Sequence, residues 1–195
     1  NEFKEYDHES HVAAVKALSP DFATVRDVMT EAQCAQADID YYPLGQVLEM
    51  AQEGDECATN TIVIPKYDCL DDIPDQFILG YSVPTSYGMT PLPLEAFQGR
   101  RVHLLGGNWD RQLRAVGVLS SDVVSIDNNH MLMKAEFGTA YAMGGAMLQV
   151  ADVVDARIGS YGMLLALVLS MGSVVTDLYR MGCWVNGAAP RPGQM

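Results

Sequence analysis

The chain has 195 residues, 49% of them hydrophobic and 19% charged, with a formal net charge of −13 and a pI of about 4.5. That length is enough for one domain with a sizeable core, and that charge excludes a broad phosphate-gripping surface. A local basic patch is still open, because Arg100, Arg101, Arg111 and Arg114 fall close together.

Taken in order, His11-Val-Ala-Ala-Val-Lys-Ala-Leu18 spaces its apolar residues as a short helix, which Ser19-Pro20 stops. Phe22 to Asp27 is a short β-type run ending on an acid, and Thr30-Glu-Ala-Gln33 begins like a helix cap. Leu44, Val47, Leu48 and Ala51 repeat at helical spacing, and Gly54 is expected to end that helix. Thr61-Ile-Val-Ile-Pro-Lys66 is aliphatic enough for a strand buried on both faces, as in a parallel sheet. An acidic loop through Asp68, Asp71, Asp72 and Asp75 follows, read as solvated. Phe77 to Val83 is a second buried strand with Gly80 inside it, a position where a backbone can approach a ligand closely. The segment from Pro84 to Pro93, rich in Pro, Gly, Ser and Thr, has the composition of an active-site loop, and a short helix is expected near Leu94–Gln98.

Arg101-Val-His-Leu-Leu-Gly-Gly107 then reads as a strand with a glycine turn, followed by a helix and by the strand Asp122-Val-Val-Ser-Ile-Asp127. His103 lies on the β-run and is expected to be packed. Asn128 to Phe137 reads as a loop or short helix, and Tyr141–Val154 and Ile158–Met181 as two long apolar helices. The run Ile158–Thr176 carries no charge, but glycines and serines interrupt it and Asp155, Arg157, Asp177 and Arg180 flank it closely. It is expected to be a buried or interface helix rather than a membrane span. The tail from Gly187 is expected to fray.

Five strand runs, near 22–27, 61–66, 77–83, 101–106 and 122–127, alternate with helix or loop, the pattern of an α/β fold. Each ends on something polar or on glycine: Asp27, Lys66, Gly80 to Ser82, Gly106-Gly107 and Asp127. In a (β/α) barrel those ends form the active-site face. The expected fold is therefore a partial, TIM-barrel-like (β/α) barrel over residues 1–137, with an apolar helical segment over 138–195 that completes or covers it. Cys34, Cys57, Cys69 and Cys183 form no CxxC pair and have no His at zinc-finger spacing, so zinc is unsupported and no cofactor is expected. Asn1 to Glu9 is charged and lacks an apolar h-region, which points to a cytoplasmic chain without a secretory signal.

The phrases Leu79-Gly-Tyr-Ser-Val-Pro-Thr-Ser-Tyr-Gly88, Val102-His-Leu-Leu-Gly-Gly-Asn-Trp-Asp-Arg-Gln112 and Asp122-Val-Val-Ser-Ile-Asp-Asn-Asn-His130 resemble the tRNA-guanine transglycosylase superfamily. They are most similar to its phage and bacterial branch, which places 7-deazaguanine bases in DNA. The resemblance runs from about Ala23 to Phe137 and covers strands four to eight of that family's barrel. It implies base exchange in DNA, with tRNA the less expected acceptor. A carboxylate would attack C1′ and displace guanine to form a covalent glycosyl-enzyme, and a general acid/base would serve the departing and entering bases.

On this resemblance Asp127 is the nucleophile and Asp27 reads the guanine-like edge by hydrogen bonds. Gly80, Tyr81 and Ser82 contact the base, Gly106 and Gly107 shape its site, and Lys66, Asn128 and His130 complete the substrate-binding set. The chain departs from the family in three places. The upstream strand that carries the family's general-base aspartate is not in this sequence, the zinc cluster after the nucleophile is absent, and Pro65-Lys66 stands where the family has a base-reading glutamine. Five strands leave barrel edges open, so the missing strands would come from a partner chain or a second copy in a homodimer, be replaced, or be missing because the sequence is a fragment. The alternative is a non-catalytic or split barrel subunit that binds nucleic acid or a partner chain.

Overall fold

A computed structural model describes residues 6–85, 89–127, 129–137, 139–142, 146–149 and 160–180. The fold is α/β. Five strands, β1 (Phe22–Thr24), β2 (Asn60–Val63), β3 (Ile78–Ser82), β4 (Val102–Leu105) and β5 (Val123–Asp127), form one sheet in chain order. β1 and β2 pair in parallel with Ala23 opposite Thr61, and β2 and β3 in parallel with Ile62 opposite Ile78. Leu79 N–H donates to Arg101 O at 2.9 Å, and Val83 N–H to Leu105 O at 3.0 Å, the constant offset of a parallel ladder. The chain divides into two compact units: Asn1–Ser82 with Gly88–His103, and Val83–Tyr87 with Leu104–Met195.

In the first unit α1 (His8–Leu18) starts where the Asp7 carboxylate accepts from Ser10 N at 3.1 Å, and it stops where Ser19 turns left-handed at φ 44°. α2 (Glu31–Ala37) opens on a reciprocal capping box between Thr30 and Gln33. α3 (Leu44–Asp55) buries Val47, Met50, Ala51 and Gly54. It ends at Asp55, one residue past the expected Gly54. Ile62 and Val63 of β2, and Ile78 and Leu79 of β3, are almost wholly buried, as expected of parallel strands covered on both faces. Arg100 ties down the acidic loop, donating to the carbonyls of Leu70, Ile73 and Pro74 and pairing with Asp75 at 3.1 Å. Arg101 donates to Asn60 Oδ1 and to Gln76 O. Both arginines of this part of the basic patch thus hold the protein's own chain.

In the second unit α4 (Trp109–Leu119) buries Trp109, Gln112, Ala115, Val116 and Leu119 on one face, and the Asn108 side chain caps it by accepting from Arg111 N at 2.9 Å. β5 leads to α5 (His130–Glu136). Within the helix expected over Tyr141–Val154, the described residues form a strand pair instead, and residues 143–145 and 150–154 lie outside the described residues. β6 (Thr139–Tyr141) and β7 (Met147–Gln149) pair antiparallel, Ala140 opposite Leu148, with Ala142 N–H donating to Ala146 O at 2.8 Å. The small, apolar composition of this stretch is compatible with either state, which is why the sequence read as helix.

α6 (Ser160–Arg180) is the long helix expected over 158–181. It packs on α5 and β6 and buries Ala166, Ser170, Val174 and Asp177, spaced one face apart. Val168, Leu169, Met171 and Val175 are exposed, so the helix is one-sided and not buried all round. Among the described residues no helix is long and apolar enough to cross a membrane. The fraying expected of the tail from Gly187 lies outside the described residues.

Candidate functional site

The candidate residues fall into two groups, one in each unit. In the first unit, the chain leaving β1 carries Asp27, the chain leaving β2 carries Lys66, and β3 ends on Ser82. Val28 N–H donates to Ile64 O and Lys66 N–H to Val28 O, so the parallel ladder continues past the strands and brings the first two residues side by side. The Lys66 ammonium lies 3.3 Å from Asp27 Oδ2 and donates to Ser82 Oγ at 2.6 Å. The lysine side chain is only 15% exposed and the aspartate 38%, so the ammonium is largely withdrawn from water while its carboxylate partner reaches solvent. The backbone around it is fixed twice: Gln33 Nε2 donates to Lys66 O at 2.9 Å, and Thr90 and Ser82 bond reciprocally, Ser82 N–H to Thr90 Oγ1 at 2.9 Å and Thr90 N–H to Ser82 O at 3.0 Å. Gly80 is buried within β3. Tyr81 is also buried, packed edge-on against Phe97 with ring centroids 5.2 Å apart, and burial pushes its phenol pKa up. Its ring is therefore part of the core, because β3 alternates its side chains between faces and Ser82 takes the other one.

In the second unit, Asp127 closes β5 and its carboxylate is held in place. Gly106 N–H points at both the backbone oxygen and Oδ1 of Asp127, each at 3.0 Å. Gly106 has φ +62° and Gly107 φ +75°, the left-handed conformation that turns the chain from β4 into α4. Gln112, fully buried, donates through Nε2 to Gly106 O at 2.8 Å and to Asp127 O at 2.7 Å, tying the glycine turn to the strand end. Asp127 itself stays exposed at the surface of this unit.

His130, at the start of α5, hydrogen-bonds through Nδ1 to the Tyr141 hydroxyl on β6. Burial, then the nearby Lys134 cation, lower the His130 pKa; burial raises that of Tyr141. Below them, Trp109 Nε1 donates to buried Asp177 Oδ2 at 3.3 Å, and Tyr141 N–H donates to Ser170 Oγ at 2.8 Å. Asn128 lies outside the described residues. Among the described residues no three His, Cys, Asp or Glu side chains gather as a metal site.

Three residues in these groups had no functional expectation. Gln112 sits on the apolar face of α4, a polar residue among core positions, and that mismatch is the signal that could have found it. Tyr141 was hidden by the helical reading of its segment, and Thr90 by its place in a loop. His103 is buried, as its β-run indicated. The remaining two arginines of the basic patch also have protein acceptors, Arg111 on Pro84 O and Arg114 on Asp110.

One family model matches residues 1–161, that of a family of unknown function, DUF6610. The chain belongs to that family. No curated protein and no solved structure matches it. The match includes both groups of candidate residues and ends at the start of α6.

Proposed function

We propose that the chain is a base-exchange transglycosylase that replaces guanine by a 7-deazaguanine derivative in DNA through a covalent aspartyl-nucleotide. It would act in the cytoplasm, its five strands forming part of a (β/α) barrel. The observation that carries this reading is the Asp127 carboxylate, held by Gly106 N–H at the end of a parallel strand and still exposed. A carboxylate fixed by a backbone donor keeps its orientation without losing its charge, which is what attack on C1′ needs. The resemblance of Val102–Gln112 and Asp122–His130 to the transglycosylase superfamily supports the same assignment.

Asp27, Lys66 and Ser82 supply the second requirement. An ionised carboxylate accepts from ring and exocyclic N–H groups, while an ammonium and a hydroxyl donate to a carbonyl. That combination complements the edge of a guanine-like base and disfavours adenine, which offers an amino group where guanine has a carbonyl. Lys66 takes this role where the superfamily uses glutamine, and the ion pair to Asp27 and the bond to Ser82 hold it in place. Gly80 serves by close backbone approach, and Tyr81 by holding β3 in position from the core.

The test is exchange of radiolabelled guanine into a DNA duplex. Wild type incorporates label and D127A loses incorporation by a factor of at least about 10³, the loss expected when a nucleophile is removed. Retained exchange in D127A ends this mechanism.

A second reading, a non-catalytic subunit that binds a partner chain or a second copy, is favoured by the exposed Val168, Leu169, Met171 and Val175 of α6. It gains if wild type neither exchanges base nor behaves as a monomer in sedimentation.

A further inference from the structure

A transglycosylase that works through Asp127 needs a proton for the departing base. The second unit offers a group of its own. His130 follows Asp127 by three residues, so their Cα atoms are at most about 11 Å apart. Its ring is not loose: Nδ1 is bonded to the Tyr141 hydroxyl. Tyr141 is itself fixed, because its backbone N–H is held by Ser170 of α6 and its ring packs with Trp109 and Val174. Nε2 has no hydrogen-bond partner among the described residues. One nitrogen is thus committed to positioning the ring, and the other is available, the arrangement of a histidine that moves protons.

We propose that His130 is the proton carrier of the exchange, acting through Nε2, with Tyr141 as its positioning residue. The inference rests on the transglycosylase reading given above. In the first half-reaction a carboxylate oxygen of Asp127 bonds to C1′ as the C1′–N9 bond breaks. The bonding pair leaves with guanine, and the imidazolium Nε2 proton goes to it, giving neutral guanine and neutral imidazole. In the second half the incoming base loses its N9 proton to Nε2, its N9 pair bonds to C1′, and the aspartyl C–O bond breaks. Carboxylate and imidazolium are restored, and no other reactant is consumed. Throughout, Nδ1–H donates to the Tyr141 oxygen, so a single nitrogen gives and takes the proton.

The charged and titratable groups around this histidine come from each neighbouring element: Lys134 on α5, Tyr141 on β6, Asp110 on α4 acting on Tyr141, and Asp177 on α6 bonded to the Trp109 ring. Burial and Lys134 both disfavour the imidazolium. The ring therefore releases its proton more readily than an ordinary histidine, and K134Q relieves part of that pressure.

The experiment measures guanine exchange into duplex DNA against pH for wild type, D127A, H130Q, Y141F and K134Q, alongside a histidine NMR titration of each. Wild type is expected to show a histidine limb, which K134Q moves to higher pH together with the His130 NMR titration. H130Q loses that limb and slows exchange by about 10²- to 10⁴-fold. Y141F keeps Nε2 but loosens the ring, and lowers kcat more than it changes KM. If wild type and D127A behave as the mechanism requires while H130Q keeps the wild-type profile, the proton role is overturned and the transglycosylase reading survives. A K134Q protein whose NMR titration moves while its rate profile stays put overturns it equally, without relying on the histidine variant's fold. Absence of exchange in wild type ends both readings.

Discussion

Gly107 has φ +75°, and a Cβ there would lie 2.6 Å from Val83 Cγ1. The backbone conformation alone costs an L-residue about 1–2 kcal/mol, and the overlap adds about 1–3 kcal/mol unless Val83 yields. G107A is therefore expected to lower unfolding stability by about 2–5 kcal/mol in chemical denaturation, and V83A to recover the steric part only. Gly106 differs: nothing approaches its Cβ position, and its constraint is the left-handed φ and the N–H that it presents to Asp127. Polar strand ends were legible in the sequence because Asp, Lys and Ser stand out after aliphatic runs. Their partners were not. Gln112 bridges residues 106 and 127, and Lys66 joins 27 to 82, and neither separation is visible to periodicity. Tyr81 shows the limit from the other side: adjacent to Ser82 in sequence, it turns to the opposite face and into the core.

At the scale of elements, α6 and the β6–β7 hairpin are joined through Ser170, whose Oγ accepts the Tyr141 N–H at 2.8 Å and donates to Ala166 O at 2.8 Å. The group is fully buried, so S170A leaves a buried N–H without an acceptor and is expected to cost about 1–3 kcal/mol, read as a lower urea midpoint. An unchanged midpoint would mean that β6 does not depend on α6. The helices α1, α2 and α3 were legible because their caps and apolar spacing are local, down to the Thr30–Gln33 capping box. The hairpin was not, because Thr139–Gln149 consists of small and apolar residues compatible with either state, and long-range packing on α6 decides between them.

For the whole molecule, the order of the sheet follows from the sequence more directly than any single contact. Five aliphatic runs separated by helices or loops, each continuing into a polar residue, imply sequential parallel strands, and the sheet runs β1 to β5 in that order. For α6 the sequence left burial and an interface both open, and among the described residues Val168, Leu169, Met171 and Val175 are exposed. The functional proposal stands on the two polar groups at the strand ends, and above all on Asp127 as a nucleophile. A covalent intermediate is its direct consequence. Wild-type protein incubated with a guanine-containing DNA duplex, quenched by denaturation and resolved on a denaturing gel, should yield a protein–DNA adduct that peptide mass spectrometry assigns to Asp127. Excess free guanine should discharge the adduct, and D127A should not form it. An adduct that persists in D127A, or that maps to another residue, would contradict the assignment.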